Sequence, residues 1–238
     1  MILSSFFACI AGFYFREHYF VLLLPAASLL IGITFSRLDS IITQVSGKAF
    51  WGAWLSVGLF IGINAGNVVQ QIKKIGEFAP DHFMHDVYGT NPFSEAIPIA
   101  KYLHAHTVNA DKIAVLGSEP EIYFYAKRRS ATAYIYMYPL MESSQYAKGM
   151  QLELVGQIEK AKPKYIVYVN LPTSWLSIPA SERFVFEWAR KYLNDNYIKT
   201  MAICIRGDGG SDYFWDSDAR ERVLPSDRNV EVYELRTQ

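Results

Sequence analysis

Formal charge is nearly missing from the first 72 residues, which hold only Arg16, Glu17, Arg37, Asp39 and Lys48 among Lys, Arg, Asp and Glu. The remaining 166 residues carry 20 of the 23 basic and 21 of the 23 acidic groups. That split argues against one uniform water-soluble domain and predicts a membrane part followed by a soluble one. Net charge is missing as well: the whole chain sums to zero, so it has no basic excess with which to engage nucleic acid. Cysteine is scarce. Cys9 lies in an apolar stretch and Cys204 in an expected strand, and neither has the spacing of a metal or redox motif. No G-x-G-x-x-G follows the first expected strand, and no G-x-x-x-x-G-K-[ST] occurs anywhere. With two long apolar spans beside that absence, a soluble nucleotide enzyme is excluded.

What is present begins with those spans. From His18 to Ser36 run 19 residues with no Asp, Glu, Lys or Arg. As a helix they reach about 28 Å, close to the ~30 Å hydrocarbon core of a bilayer. A second run covers Ala49 to Ile72, so transmembrane helices are expected over 18–36 and 49–72. Ile2 to Phe15, too short to cross and without the basic start of a signal peptide, reads as the second half of a helix that begins upstream. Gly58, Gly62 and Gly66 recur at four-residue spacing, which makes a groove for close approach of another helix. Residues 1–72 are therefore expected to be part of a larger helical bundle. Lys and Arg near the helix ends (Arg16, Lys73 and Lys74 against Arg37 and Lys48) lean toward a cytoplasmic soluble domain.

Residues 73–90 form a connector, and 91–238 alternate between helix and strand patterns. Helices are expected at 91–106, 119–127, 143–161 and 181–194, and strands at 112–117, 131–138, 164–169, 198–205 and 230–235. The order predicts a Rossmann-like α/β domain with a largely parallel sheet, its last pair of strands open to an antiparallel arrangement. In Gly117–Glu142, Glu119 follows a strand, where open α/β sheets place ligands, and Arg128, Arg129 and Tyr136 come soon after. The plain reading is core packing and edge solvation; the functional one is a surface that docks an acceptor or a membrane module. In Gly207–Arg222, "GDGGSDYFWDSDARER", a flexible acidic loop is expected, the sharper alternative being a lip that stacks on a sugar or acceptor, with Trp215 a further candidate for acceptor or module docking. His82 and His85, in "PDHFMHD", read as solvated loop residues, since two histidines do not make a metal site. No metal site and no cofactor is expected.

"FREHYFVLLLPAASLLIG", a polar entry followed by an apolar run with an internal Pro, resembles the late transmembrane helix of GT-C superfamily membrane glycosyltransferases. The likeness is to the family 39 type, similar to dolichyl-phosphate-mannose protein mannosyltransferases and lipid A aminoarabinose transferases. "YGTNPF" (Tyr88–Phe93) and "GSEPEIYFYAKRRSATAYIYMYPLME" (Gly117–Glu142) look like recurrent segments of that class. The resemblance implies a sugar transferred from a polyprenyl-phosphate donor to a protein, lipid or glycan acceptor. It also implies a bacterial inner or plasma membrane location with the α/β domain outside the cytoplasm, and outweighs a charge count that rests on two lysines. The catalytic acidic loop of such enzymes has no counterpart in the sequence. The chain is thus expected to be a C-terminal portion partnered by an N-terminal membrane module, with any divalent metal of the parent left open. The donor phosphate would meet Arg16, helped by His18 and Tyr19, since a guanidinium binds phosphate through paired hydrogen bonds. The alternatives are that Arg16 and Tyr19 only anchor the helix at the interface, and that the chain is a small membrane-anchored α/β binding module without catalysis.

Overall fold

The structure, a computed structural model, describes residues 2–10, 17–46, 49–77, 84–85, 88–207 and 210–236. The chain divides into two compact units, Met1–Glu77 and Phe78–Gln238.

The first unit is helical: α1 (Ile2–Cys9), a 3-10 segment (Glu17–Leu23), α2 (Leu24–Ser46) and α3 (Ala49–Glu77). Pro25 explains the first departure from expectation. It lacks an N–H and clashes with the carbonyl four residues back, so the α-helix starts around it and the preceding turns wind as 3-10. The helix expected to end at Ser36 instead carries Arg37 and Asp39 and continues to Ser46. The helix expected over 49–72 likewise takes in Lys73 and Lys74, good helix formers, and ends at Glu77, so the connector loses its first five positions. Of the partial helix expected over 2–15, Ile2–Cys9 is helical and residues 11–15 lie outside the described ones. Phe35 and Phe60 meet edge to face at 5.9 Å and join α2 to α3. Among the described residues, one span, Tyr19–Val45, is long and apolar enough to cross a membrane, with mean hydropathy 2.0 and only 6% of its most apolar window buried.

The second unit is an α/β domain built on a six-stranded sheet ordered β2-β1-β3-β6-β4-β5. The strands are β1 (Lys112–Leu116), β2 (Arg129–Ser130), β3 (Tyr165–Asn170), β4 (Tyr197–Ile205), β5 (Ser211–Trp215) and β6 (Asn229–Leu235). Strand β1 pairs in parallel with β2 and β3, whereas β6 is antiparallel to both β3 and β4, and β5 is antiparallel to β4. Four strands (β1–β4) thus run one way in a mixed sheet, and the largely parallel sheet holds for direction but not for neighbours.

Helix α4 (Phe93–His106) buries Ala96, Ile99, Ala100 and Leu103, the i, i+3, i+4, i+7 stripe of a helix lying on a core. With α5 (Glu121–Ala126) it covers one face of the sheet over Val115, Val167, Ile203 and Val232. The other face is covered by α7 (Ala147–Ala161) and α9 (Phe184–Asn196), which press Leu154, Ile158, Val185 and Leu193 onto Leu116 and Ile166. Short helices α6 (Tyr138–Met141), α8 (Pro172–Trp175) and α10 (Asp216–Glu221) complete the domain.

Two expectations are corrected here. "ATAYIYMY" is not a strand: β2 stops at Ser130, and residues 131–137 follow as bends with side-chain anchors. Thr132 Oγ1 donates to Gln157 Oε1 (2.8 Å) and Tyr138 OH to the Thr173 carbonyl (2.7 Å), so contacts outside the segment override its β propensity. The acidic loop expected over 207–222 is largely ordered as edge strand β5 and α10, because Ser211–Trp215 finds backbone partners on β4.

Candidate functional site

In this sheet the chain passes from β1 to β2 on one side, then crosses over β1 to β3 on the other. The order reverses between β1 and β3, and open α/β sheets place their ligand crevice beyond the strand ends at such a point. Gly117 and Ser118 leave the end of β1, and Leu171–Trp175 leave the end of β3. Ser174 Oγ accepts from Ser118 N (3.0 Å) and donates to Glu119 Oε2 (2.8 Å). Ser118 Oγ accepts from Met137 N (3.0 Å), and Trp175 Nε1 donates to the Val169 carbonyl (2.7 Å). Gly117 makes this closeness possible. A Cβ there would overlap Glu119 Oε2 and lie 2.7 Å from Ser174 Oγ and 2.8 Å from Val169 Cβ.

Burial pushes the Glu119 carboxyl up to about 8, against the Ser174 hydrogen bond that lowers it, with Glu121 adding repulsion. At neutral pH the group is therefore protonated. Glu119 is only 4% exposed and Ser174 1%, so the pair reaches no reactant and instead fixes the turn between the two strands. Tyr136 is 45% exposed, and its ring lies 4.3 Å from that of Tyr138 at a tilt of 56°. Thr173 Oγ1 is buried there with no hydrogen-bond partner among the described residues.

The docking residues expected from sequence separate. Glu119 and Tyr136 belong to this crevice. Arg128 is 7% exposed and spent on the fold: Nε donates to Thr107 Oγ1 (2.7 Å), and Nη2 to the carbonyls of Thr107 (2.6 Å) and His104 (3.2 Å). Burial thus removes Glu119 and Arg128 from any docking surface. Arg129 is exposed opposite Lys112, at the start of β1. Trp215 meets Tyr102 at a tilt (centroids 5.4 Å), and Tyr102 itself meets Tyr165 at the start of β3. Arg129 and Trp215 therefore lie at the end of the sheet opposite Glu119.

In the first unit, Arg16 lies outside the described residues, as does the side chain of His18. The Tyr19 carbonyl accepts from Cys9 Sγ at 3.1 Å. Gly58, Gly62 and Gly66 are exposed, and a Cβ at any of them would have no described atom within 4 Å. The glycine groove is present and unfilled by the described residues.

Two features escaped the sequence reading. His85 is anchored rather than solvated: Nε2 lies 3.0 Å from Glu95 Oε1, and Nδ1 lies 3.0 Å from the Gly89 carbonyl. Ser211 Oγ donates to the same Glu95 oxygen, so the domain entry is tied to α4 and β5. The Glu119–Ser174 bond joins residues 55 positions apart, and no local pattern announces it. Among the described residues, no group of three or more His, Cys, Asp and Glu could hold a metal ion. No protein-family model, curated protein or solved structure matches the chain.

Proposed function

We propose that this chain is the C-terminal part of an integral-membrane glycosyltransferase of the GT-C type. The parent transfers a sugar from a polyprenyl-phosphate donor to a protein, lipid or glycan acceptor outside the cytoplasm. The observation that carries the reading is the outward apolar surface of Tyr19–Val45, joined in one chain to an α/β domain. A helix greasy on its exposed side is at home in lipid. We assign a second crossing to α3, whose 29 residues reach about 43 Å and expose Val57, Phe60, Ile61 and Val68. The open glycine face of α3 supports contact with further helices of a membrane module. The run from Tyr19 to Ser36 is without Asp, Glu, Lys or Arg and fills the hydrocarbon depth, which leaves Arg37 near an interface.

On this reading Arg16, with His18 and Tyr19, meets the donor phosphate at the membrane surface, and the catalytic carboxylate comes from the partner module. Glu119 does not supply it, because it is closed to substrate. The test is binding of undecaprenyl phosphate to the full chain in nanodiscs, against undecaprenol as the uncharged control. Saturable binding of the phosphate alone is expected, weakened roughly tenfold or more in Arg16→Gln, as loss of a charge-assisted hydrogen bond entails. Equal retention of the alcohol, or native binding by Arg16→Gln, contradicts the donor site. Sugar transfer by the chain alone contradicts the division of labour.

A further inference from the structure

The sheet face under α7 and α9 is covered only in part. Past Tyr168 on β3, the same face of β6 and β4 carries Glu231, Tyr233 and Lys199, polar side chains where a covered α/β sheet buries apolar ones. A groove of about 750 Å³ lies there, walled by α9 on one side and by Arg220 of α10 on another. Its size falls within the roughly 300–1,000 Å³ of small-molecule sites.

The charge in this groove is lopsided. Arg190, Lys199, Arg220 and Arg236 face it against Glu231, four cations less one carboxylate, in a chain whose net charge is zero. The carboxylate is already capped: Lys199 Nζ donates to Oε1 (2.9 Å) and Tyr233 OH to Oε2 (2.7 Å). Arg236 is tied to the wall through the carbonyls of Tyr197 (3.0 Å) and Asn194 (3.1 Å). The guanidinium groups of Arg190 and Arg220 make no hydrogen bond or ion pair among the described residues. Burial and then Glu231 push the Tyr168 hydroxyl up while Arg190 opposes them, so the guanidinium acts on the groove floor. Tyr168 and Phe186 add aromatic surface beside these two cations.

We propose that the groove binds an anionic saccharide, a sugar ring bearing phosphate or carboxylate. Arg190 and Arg220 hold the anion through paired N–H donors, and Phe186 and Tyr168 receive the apolar face of the ring. The two uncommitted guanidiniums supply what the capped Glu231 cannot, a charge free to meet a ligand. The site lies wholly within the α/β domain and does not depend on the glycosyltransferase reading.

Calorimetry on the full chain in detergent, with glucose 6-phosphate, glucuronate, glucose and inorganic phosphate as probes, tests it. Glucose 6-phosphate or glucuronate should bind at least tenfold more tightly than glucose and inorganic phosphate, because ring and charge are both needed. The double variant R190Q/R220Q should lose at least tenfold of that affinity, while K101Q/K127Q, far from the groove in sequence and equally discharged, should not. No binding of either charged sugar, equal binding of glucose, or native affinity in R190Q/R220Q overturns the proposal. Inorganic phosphate binding as tightly as glucose 6-phosphate overturns its saccharide part. Should the double variant fail to fold, labelling of the native chain by phenylglyoxal decides. Glucose 6-phosphate, but not glucose, should slow modification of Arg190 and Arg220, and unchanged labelling overturns the site.

Discussion

The two units satisfy their polar groups in opposite ways. In Met1–Glu77 three described polar side chains turn back on their own helix: Ser28 Oγ donates to the Leu24 carbonyl (2.7 Å), Thr34 Oγ1 to Leu30 (2.8 Å) and Asn64 Nδ2 to Phe60 (2.7 Å). Large apolar residues there, Leu29, Ile31 and Ile33 among them, face outward. In Phe78–Gln238 a large set of apolar side chains faces inward, and buried polar groups bridge elements distant in sequence. Gln151, fully buried, donates to the carbonyls of Leu140 and Glu182 (2.9 Å each) and accepts from Val185 N (2.9 Å). Self-contained polarity suits a solvent that offers no hydrogen bonds, whereas cross-linking polarity suits a domain folded out of water.

The comparison is broken most severely by cutting a cross-link. Arg128→Ala removes the side-chain donors of the Thr107 and His104 carbonyls and of Thr107 Oγ1, which keeps only its bond to the Leu103 carbonyl. A loss of about 3–5 kcal/mol is expected, read as a lowered melting temperature of the full chain in detergent. Close behind comes the proton on Glu119. Folded, the carboxyl keeps it to about pH 8; unfolded, it releases it near its ordinary value of 4.5. Between those values the unfolded state binds fewer protons, so stability falls as pH rises from about 4.5 to 8 and levels off above. The fall is at most on the order of 5 kcal/mol. Glu119→Gln keeps an acceptor for Ser174 and cannot ionise, so its profile should be flatter and its stability higher than native at pH 8.5. Profiles that stay parallel would contradict the buried, protonated carboxyl.

A smaller effect is expected at Gly117→Ala, which forces the new Cβ onto Glu119, Ser174 and Val169. About 1–3 kcal/mol should be lost, as for other overpacked sites, with thermal denaturation as the measurement. The least is expected at the left-handed cap of α7, where Lys162 holds φ 45° and its N–H bonds the Ile158 carbonyl (2.8 Å). Lys162→Gly relieves that conformation, and a gain of about 0.5–1 kcal/mol sharpens the picture of the domain as a water-folded unit.

Much of this architecture was legible in residues 91–238 because local pattern and tertiary packing agree there. The stripe Ala96–Ile99–Ala100–Leu103 announced α4, and the apolar runs at Lys112 and Tyr165 announced β1 and β3. Legibility failed where distant partners decide. "ATAYIYMY" has strand composition, yet Gln157 and Thr173 claim its polar groups. Ser211–Trp215 is a strand only because β4 lies beside it. Arg37 and Asp39 looked like a helix end, but no proline follows them before Ser46, and charge alone does not stop a helix. Of the candidate site, Glu119 and Tyr136 were legible as residues that follow β1. That Glu119 would be sealed against Ser174, and Arg128 used up inside the fold, follows from packing across 55 and 21 positions of sequence.

The most direct test substitutes one residue type at matched exposure in each unit. Ile31 on α2 is 46% exposed and Ile97 on α4 is 43% exposed. If α2 faces lipid, Ile31→Lys should weaken membrane integration of the chain by about 2.5–3.5 kcal/mol, read as the fraction retained in the membrane after alkaline carbonate extraction. Ile97→Lys should leave both integration and melting temperature within about 0.5 kcal/mol of native. Equal tolerance of lysine at both positions would contradict a membrane-embedded first unit, and with it the glycosyltransferase reading.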